Sequence, residues 1–138
     1  MQPIAIRLRA SRRRQVAESE LELHAAIAAA DREADVTGKL AIVDFEAANG
    51  NTLSVIVGGA ETALSFRIAG DVLPRFLSRG PASSNDPKFV FSREPGDEME
   101  CPAWAVISRG DGLAALDEFA ASNEMPQLVE WAPYESVR

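Results

Sequence analysis

Apolar and polar positions alternate with two different periods along this chain, and the change of period marks its elements. Ile4, Ile6 and Leu8 alternate with Ala5, Arg7 and Arg9, the pattern of a short half-exposed strand. Ser19-Glu20-Leu21-Glu22 has capping-box spacing, so a helix is expected from there. Its stripe is read as Leu21, Ala25 and Ala28 flanked by Leu23 and Ile27, fading near Asp35. The run from Leu40 to Phe45 predicts a strand buried on both faces or nearly so. Asn49-Gly50 then turns the chain, since Asn-Gly tolerates the positive φ of tight hairpins. A second strand follows over Leu53, Val55 and Val57, and Gly58-Gly59 reverses the chain into a third over Leu64, Phe66 and Ile68.

After the turn at Ala69-Gly70-Asp71, residues 72–77 predict a short edge strand, because Pro74 removes a ladder donor. Residues 78–87 have loop composition, Phe89-Val90-Phe91 reads as a strand, and Glu94–Glu98 reads as a turn. Ser108 with Asp111 marks a second helix, whose stripe is Leu113, Leu116, Phe119 and Ala120 and which ends at Met125-Pro126. Leu128, Val129 and Trp131 form a last strand. Hairpin-joined strands with two helices predict an α+β domain, an antiparallel sheet with two main helices packed on it. The length of 138 residues suits one domain over 1–138, with a basic segment at 1–15 and no internal repeats.

Composition narrows the function classes. Apolar residues are 46% and charged residues 25%, which excludes a disordered or low-complexity chain. The single cysteine, Cys101, excludes an internal disulfide and a Cys-based zinc site, and suits a reducing compartment. No run of about 18 apolar residues is present, and the start lacks the apolar block of a secretory signal. A cytoplasmic location without membrane contact is expected.

Net charge is −7, but Arg7, Arg9, Arg12, Arg13 and Arg14 oppose no acid in the first 14 residues. The remainder therefore balances at −12, which repels nucleic acid and favours basic partners. The arginine run leaves open a second reading, a small nucleic-acid-associated regulatory or adaptor module using the N-terminus.

Candidate chemistry is sparse. His24 lies on the border of the first helix stripe, where a structural role is the simpler reading. Cys101 and His24 form no local nucleophile signature. Asp97, Glu98 and Glu100 lack the spacing and glycine of a calcium loop. Gly58-Gly59 is followed by a strand, not by the helix that would cradle a phosphate. No catalytic set, cofactor or metal is expected, and a binding module is the better reading.

Two blocks carry a resemblance. The first is Gly50-Asn51-Thr52-Leu53 running through Val57-Gly58-Gly59 to Glu61-Thr62-Ala63-Leu64-Ser65-Phe66. The second runs from Leu113 to Phe119, then Met125-Pro126, then Val129-Glu130-Trp131. In this order they resemble the first Imm family of immunity proteins of bacterial polymorphic toxin systems, over roughly residues 17–132. Residues 69–100 match only loosely. The resemblance implies a non-enzymatic protein that neutralises one toxin domain encoded by a neighbouring gene, often a nucleic-acid deaminase and less often a nuclease. Leu53, Val55, Gly58, Gly59 and Trp131 are explained by core and turn, so they are not carried over as contacts.

A toxin acting on nucleic acid needs a basic cleft, which an acidic protruding surface can fill. The expected contact is the segment Glu94, Asp97, Glu98, Glu100 and Trp104, with Asp71, Asp86 and the loop 78–87 as second choice.

Overall fold

A computed structural model describes residues 1–8, 13–94 and 97–133, with the backbone alone for residues 13, 89–94 and 97–100. Strands β1 (Ile4–Leu8) and β2 (Arg13–Ala17) precede helix α1 (Glu20–Thr37). Then come β3 (Ala41–Glu46), β4 (Thr52–Val57), β5 (Glu61–Thr62), β6 (Leu64–Arg67) and β7 (Phe76–Arg79). A hairpin of β8 (Pro87–Glu94) and β9 (Asp97–Pro102) leads through a 3-10 turn (Ala103–Ala105) to β10 (Ile107–Ser108). Helix α2 (Arg109–Ser122) and β11 (Glu130–Pro133) complete the order. Seven strands form one antiparallel sheet in the order β11-β7-β6-β4-β3-β1-β2, and both helices pack on one face of it. The α+β architecture read from the sequence is the one observed.

Both helices begin where their caps lie. The Ser19 hydroxyl accepts the Glu22 amide at 3.2 Å, and the Ser108 hydroxyl accepts the Asp111 amide at 3.1 Å. Each such cap stabilises its helix by about 1 kcal/mol. α1 stops at Gly38, whose φ of 71° closes the last turn through a bond to the Ala34 carbonyl. α2 stops earlier than Met125-Pro126, at Asn123 in the same left-handed region.

The stripe of α1 is not the one expected. Leu23, Ala26, Ile27, Ala30 and Ala34 are buried, whereas Leu21 is 81% exposed and Ala25 and Ala28 face outward. Both phases are apolar because the helix is rich in alanine, but only the phase through Ala34 extends the full length of the helix against the sheet.

On the helix side, Phe45, Leu53 and Phe66 stand in register across β3, β4 and β6, next to Val43, Val55 and Leu64 in the row beyond. Phe119 meets Phe66 edge-on at 6.0 Å, and Trp131 meets the same ring at 6.1 Å. A smaller cluster lies on the other face, where Ile42, Ile56, Ala63 and Ala132 pack with Cys101, Trp104 and Ala105.

Three further expectations are corrected. No strand spans 72–77; Val72 and Leu73 are exposed, and the strand begins at Phe76, beyond Pro74. That strand is not an edge, because β11 pairs outside it. The last strand starts at Glu130, leaving Leu128 exposed. β2 is a strand despite its arginine-rich composition.

Candidate interaction surface

The acidic positions lie on the β8–β9 hairpin, which is separate from the seven-stranded sheet. In its register Glu94 pairs with Asp97, Ser92 with Glu98, and Val90 with Glu100. Glu94, Asp97 and Glu98 thus lie towards the far end of a two-stranded ribbon, and Glu100 lies nearer its base. The side chains of Glu94, Asp97, Glu98 and Glu100 lie outside the described residues. The stretch read as a turn over 94–98 is strand on both sides of residues 95–96.

The near end of the ribbon is fixed firmly. The Ala103 amide donates to the Asp86 carbonyl at 2.8 Å, and the Trp104 amide to the Ser84 carbonyl at 3.0 Å. Lys88 pairs with Glu61 at 3.7 Å. Gly80 sits so close to the 3-10 turn that a Cβ there would fall 1.7 Å from the Val106 carbonyl oxygen, so only glycine fits. Trp104, grouped with the acids in the sequence, is 6% exposed and belongs to the smaller apolar cluster. It holds the base of the ribbon, while Glu94, Asp97 and Glu98 lie towards its other end. Of the second-choice acids, Asp71 is paired with Arg75 at 3.0 Å, and Asp86 is exposed in the loop before β8.

The reactive groups are committed to structure. His24 Nε2 lies 2.7 Å from Asp117 Oδ1, joining α1 to α2. Two turns along α1, Asp31 pairs with Arg109 at the start of α2, and Arg109 also donates to the Gly59 carbonyl at 2.9 Å. These links run the helices antiparallel and anchor the Gly58-Gly59 reversal. Cys101 is buried, and desolvation pushes its thiol up to about 12, so it stays protonated and poorly nucleophilic. Among the described residues no group of three or more metal-ligating side chains is assembled. A shallow depression lined by Ala34, Asp35, Gly38, Lys39, Leu40 and Gly58 brings no such set together. No helix among the described residues is long and apolar enough to cross a membrane.

The motif residues of the first block have structural duties. Gly50 has a φ of 92°, and a Cβ on it would meet the Ala69 side chain at 2.9 Å. The Asn51 amide donates to the Asn123 carbonyl at 2.9 Å and accepts from the Ala69 amide at 2.9 Å. One buried side chain therefore joins the β3–β4 turn, the end of α2 and the turn after β6.

A polar system that no sequence motif announces lies on the sheet face away from the helices. Asp44, 6% exposed, accepts from Ser54 at 2.5 Å and pairs with Arg7 at 3.2 Å. Beside it Arg67 donates to Thr52 at 3.2 Å and faces Glu46 at 3.8 Å. The available signal was a lone acid inside the apolar run of β3.

A family model described as Immunity protein Imm1 matches residues 11–133 of this chain. No individual curated protein matches it.

Proposed function

Because the chain belongs to the Imm1 immunity protein family, we propose that it binds and neutralises a cognate toxin domain encoded by a neighbouring gene, acting in the cytoplasm and without catalysis of its own. The family match over residues 11–133 carries this reading. It is supported by a histidine held in an interhelical pair and a thiol kept protonated by burial. In the proposed mechanism the β8–β9 ribbon enters a basic cleft of a nucleic-acid deaminase or nuclease toxin and occludes it. Glu94, Asp97, Glu98 and Glu100 stand in for phosphates, and Trp104 sets the ribbon's base. Charge complementarity of this kind speeds encounter and fixes orientation more than it adds affinity.

The test is co-expression with the C-terminal domain encoded by the adjacent upstream gene. Growth rescue and a single co-eluting complex are expected; continued toxicity with no complex would overturn the reading. Reversing Asp97, Glu98 and Glu100 to Lys together should slow association about tenfold or more and weaken its salt dependence, with the far-ultraviolet circular dichroism unchanged. An unchanged on-rate and salt slope in stopped-flow measurements would remove the ribbon from the mechanism.

A further inference from the structure

The β2 edge of the large sheet carries an arrangement that folding alone does not explain. Among the described strands β2 pairs only with β1, so one row of its backbone N–H and C=O groups has no strand beyond it. In register, Arg14 of β2 stands directly across from Arg7 of β1, and Arg7 stands across from Asp44 of β3. Like charges directly opposite on neighbouring strands cost stability. Arg7 offsets that cost through Asp44, whereas Arg14 is exposed and makes no ion pair among the described residues. Two residues along on the same face, Val16 is 58% exposed. Among the described residues the edge thus presents a cation without an ion pair and an apolar side chain at strand spacing, beside backbone groups that no further strand pairs.

From this we infer that β2 is a second contact surface, which receives an extended acidic segment of the toxin as an eighth strand. A carboxylate of that segment lies against Arg14 and an apolar side chain two residues away lies against Val16. The inference rests on the toxin-binding reading above. Other occupants fit less well. A second copy of this chain would bring its own Arg14 to the same edge and, having no acid in β2, would leave both cations unanswered. A nucleic acid offers phosphates but no strand backbone, and it would meet a protein of net charge −7. An acidic strand answers both the spare charge and the open edge, as in other cases of strand addition. Together with the acidic ribbon it gives the interface charges of both signs, which sets one docking orientation.

The experiment compares the parent chain with Arg14→Glu against the toxin domain of the adjacent gene, and follows amide hydrogen exchange at residues 13–17 in the parent. Binding is expected to weaken about tenfold or more in the variant, and the β2 amides of the parent to slow on complex formation. The free variant should melt no lower than the parent, because the reversed charge faces Arg7 favourably; a purely structural arginine would not separate stability from binding in this way. A complex of unchanged affinity, with no slowing at 13–17, would overturn the edge inference and leave toxin binding standing. Absence of any complex with the parent would overturn toxin binding and the inference with it. Arg14-dependent binding of a single-stranded oligonucleotide, or Arg14-dependent self-association on a sizing column, would overturn it in favour of those occupants.

Discussion

The sheet face under the helices buries Phe45 and Phe66 completely against Phe119, whereas the same strands carry a carboxylate, hydroxyls and arginines on their other face. The first face is held by apolar area and close packing, which act without direction. The second is held by directional pairs, in which Arg7 meets Asp44, Asp44 meets Ser54, and Arg67 meets Thr52. At one end of the second face the polar rows give way to the cluster around Trp104, which seats the β8–β9 ribbon. The contrast separates tasks. The helix side supplies stability, and the opposite side organises the elements proposed to meet a partner.

Three substitutions test that division. Phe119→Ala removes a ring with no exposed surface from the centre of the helix-side core and should cost about 3–5 kcal/mol in urea unfolding. A smaller loss than that of any variant on the opposite face would break the comparison. Trp104→Ala should cost about 3 kcal/mol, and it should also speed amide exchange in β8 and β9, because the ring anchors the ribbon's base. Ribbon amides that exchange as in the parent would show that the cluster does not hold the hairpin. Asp44→Ala leaves the buried Ser54 hydroxyl without its acceptor and should cost about 2 kcal/mol. Near-zero loss would mean that the polar face contributes arrangement without stability.

Much of the fold was legible because its signals are local. Ser19 and Ser108 cap helices through side chains that reach amides three residues on, so spacing alone predicts both starts. Gly50 and Gly58 mark turns because the backbone there has positive φ, which glycine adopts without strain. The errors arose where partners distant in sequence decide. In α1 two alanine-rich stripes compete, and the sheet selected the one through Leu23, Ile27 and Ala34. Strand β2 has the composition of a solvated arginine segment and becomes a strand through pairing with β1. The start of β7 at Phe76 follows from pairing with both β6 and β11, which Pro74 alone does not reveal.

The acidic segment was visible as composition, but its placement along a ribbon separate from the main sheet was not. Trp104, adjacent to those acids along the chain, is buried in the smaller apolar cluster, where its ring is removed from water.

The sequence by itself determined the α+β class, the helix starts, the glycine turns, the acidic balance and the family likeness, all of which depend on spacing or composition. Only the tertiary structure decided which helix face is buried, that Arg14 stands opposite Arg7 in the outermost described strand of the sheet, and that Asp44 is buried inside a polar ladder. Those features depend on strand order and register, which join residues tens of positions apart and leave no periodic trace along the chain.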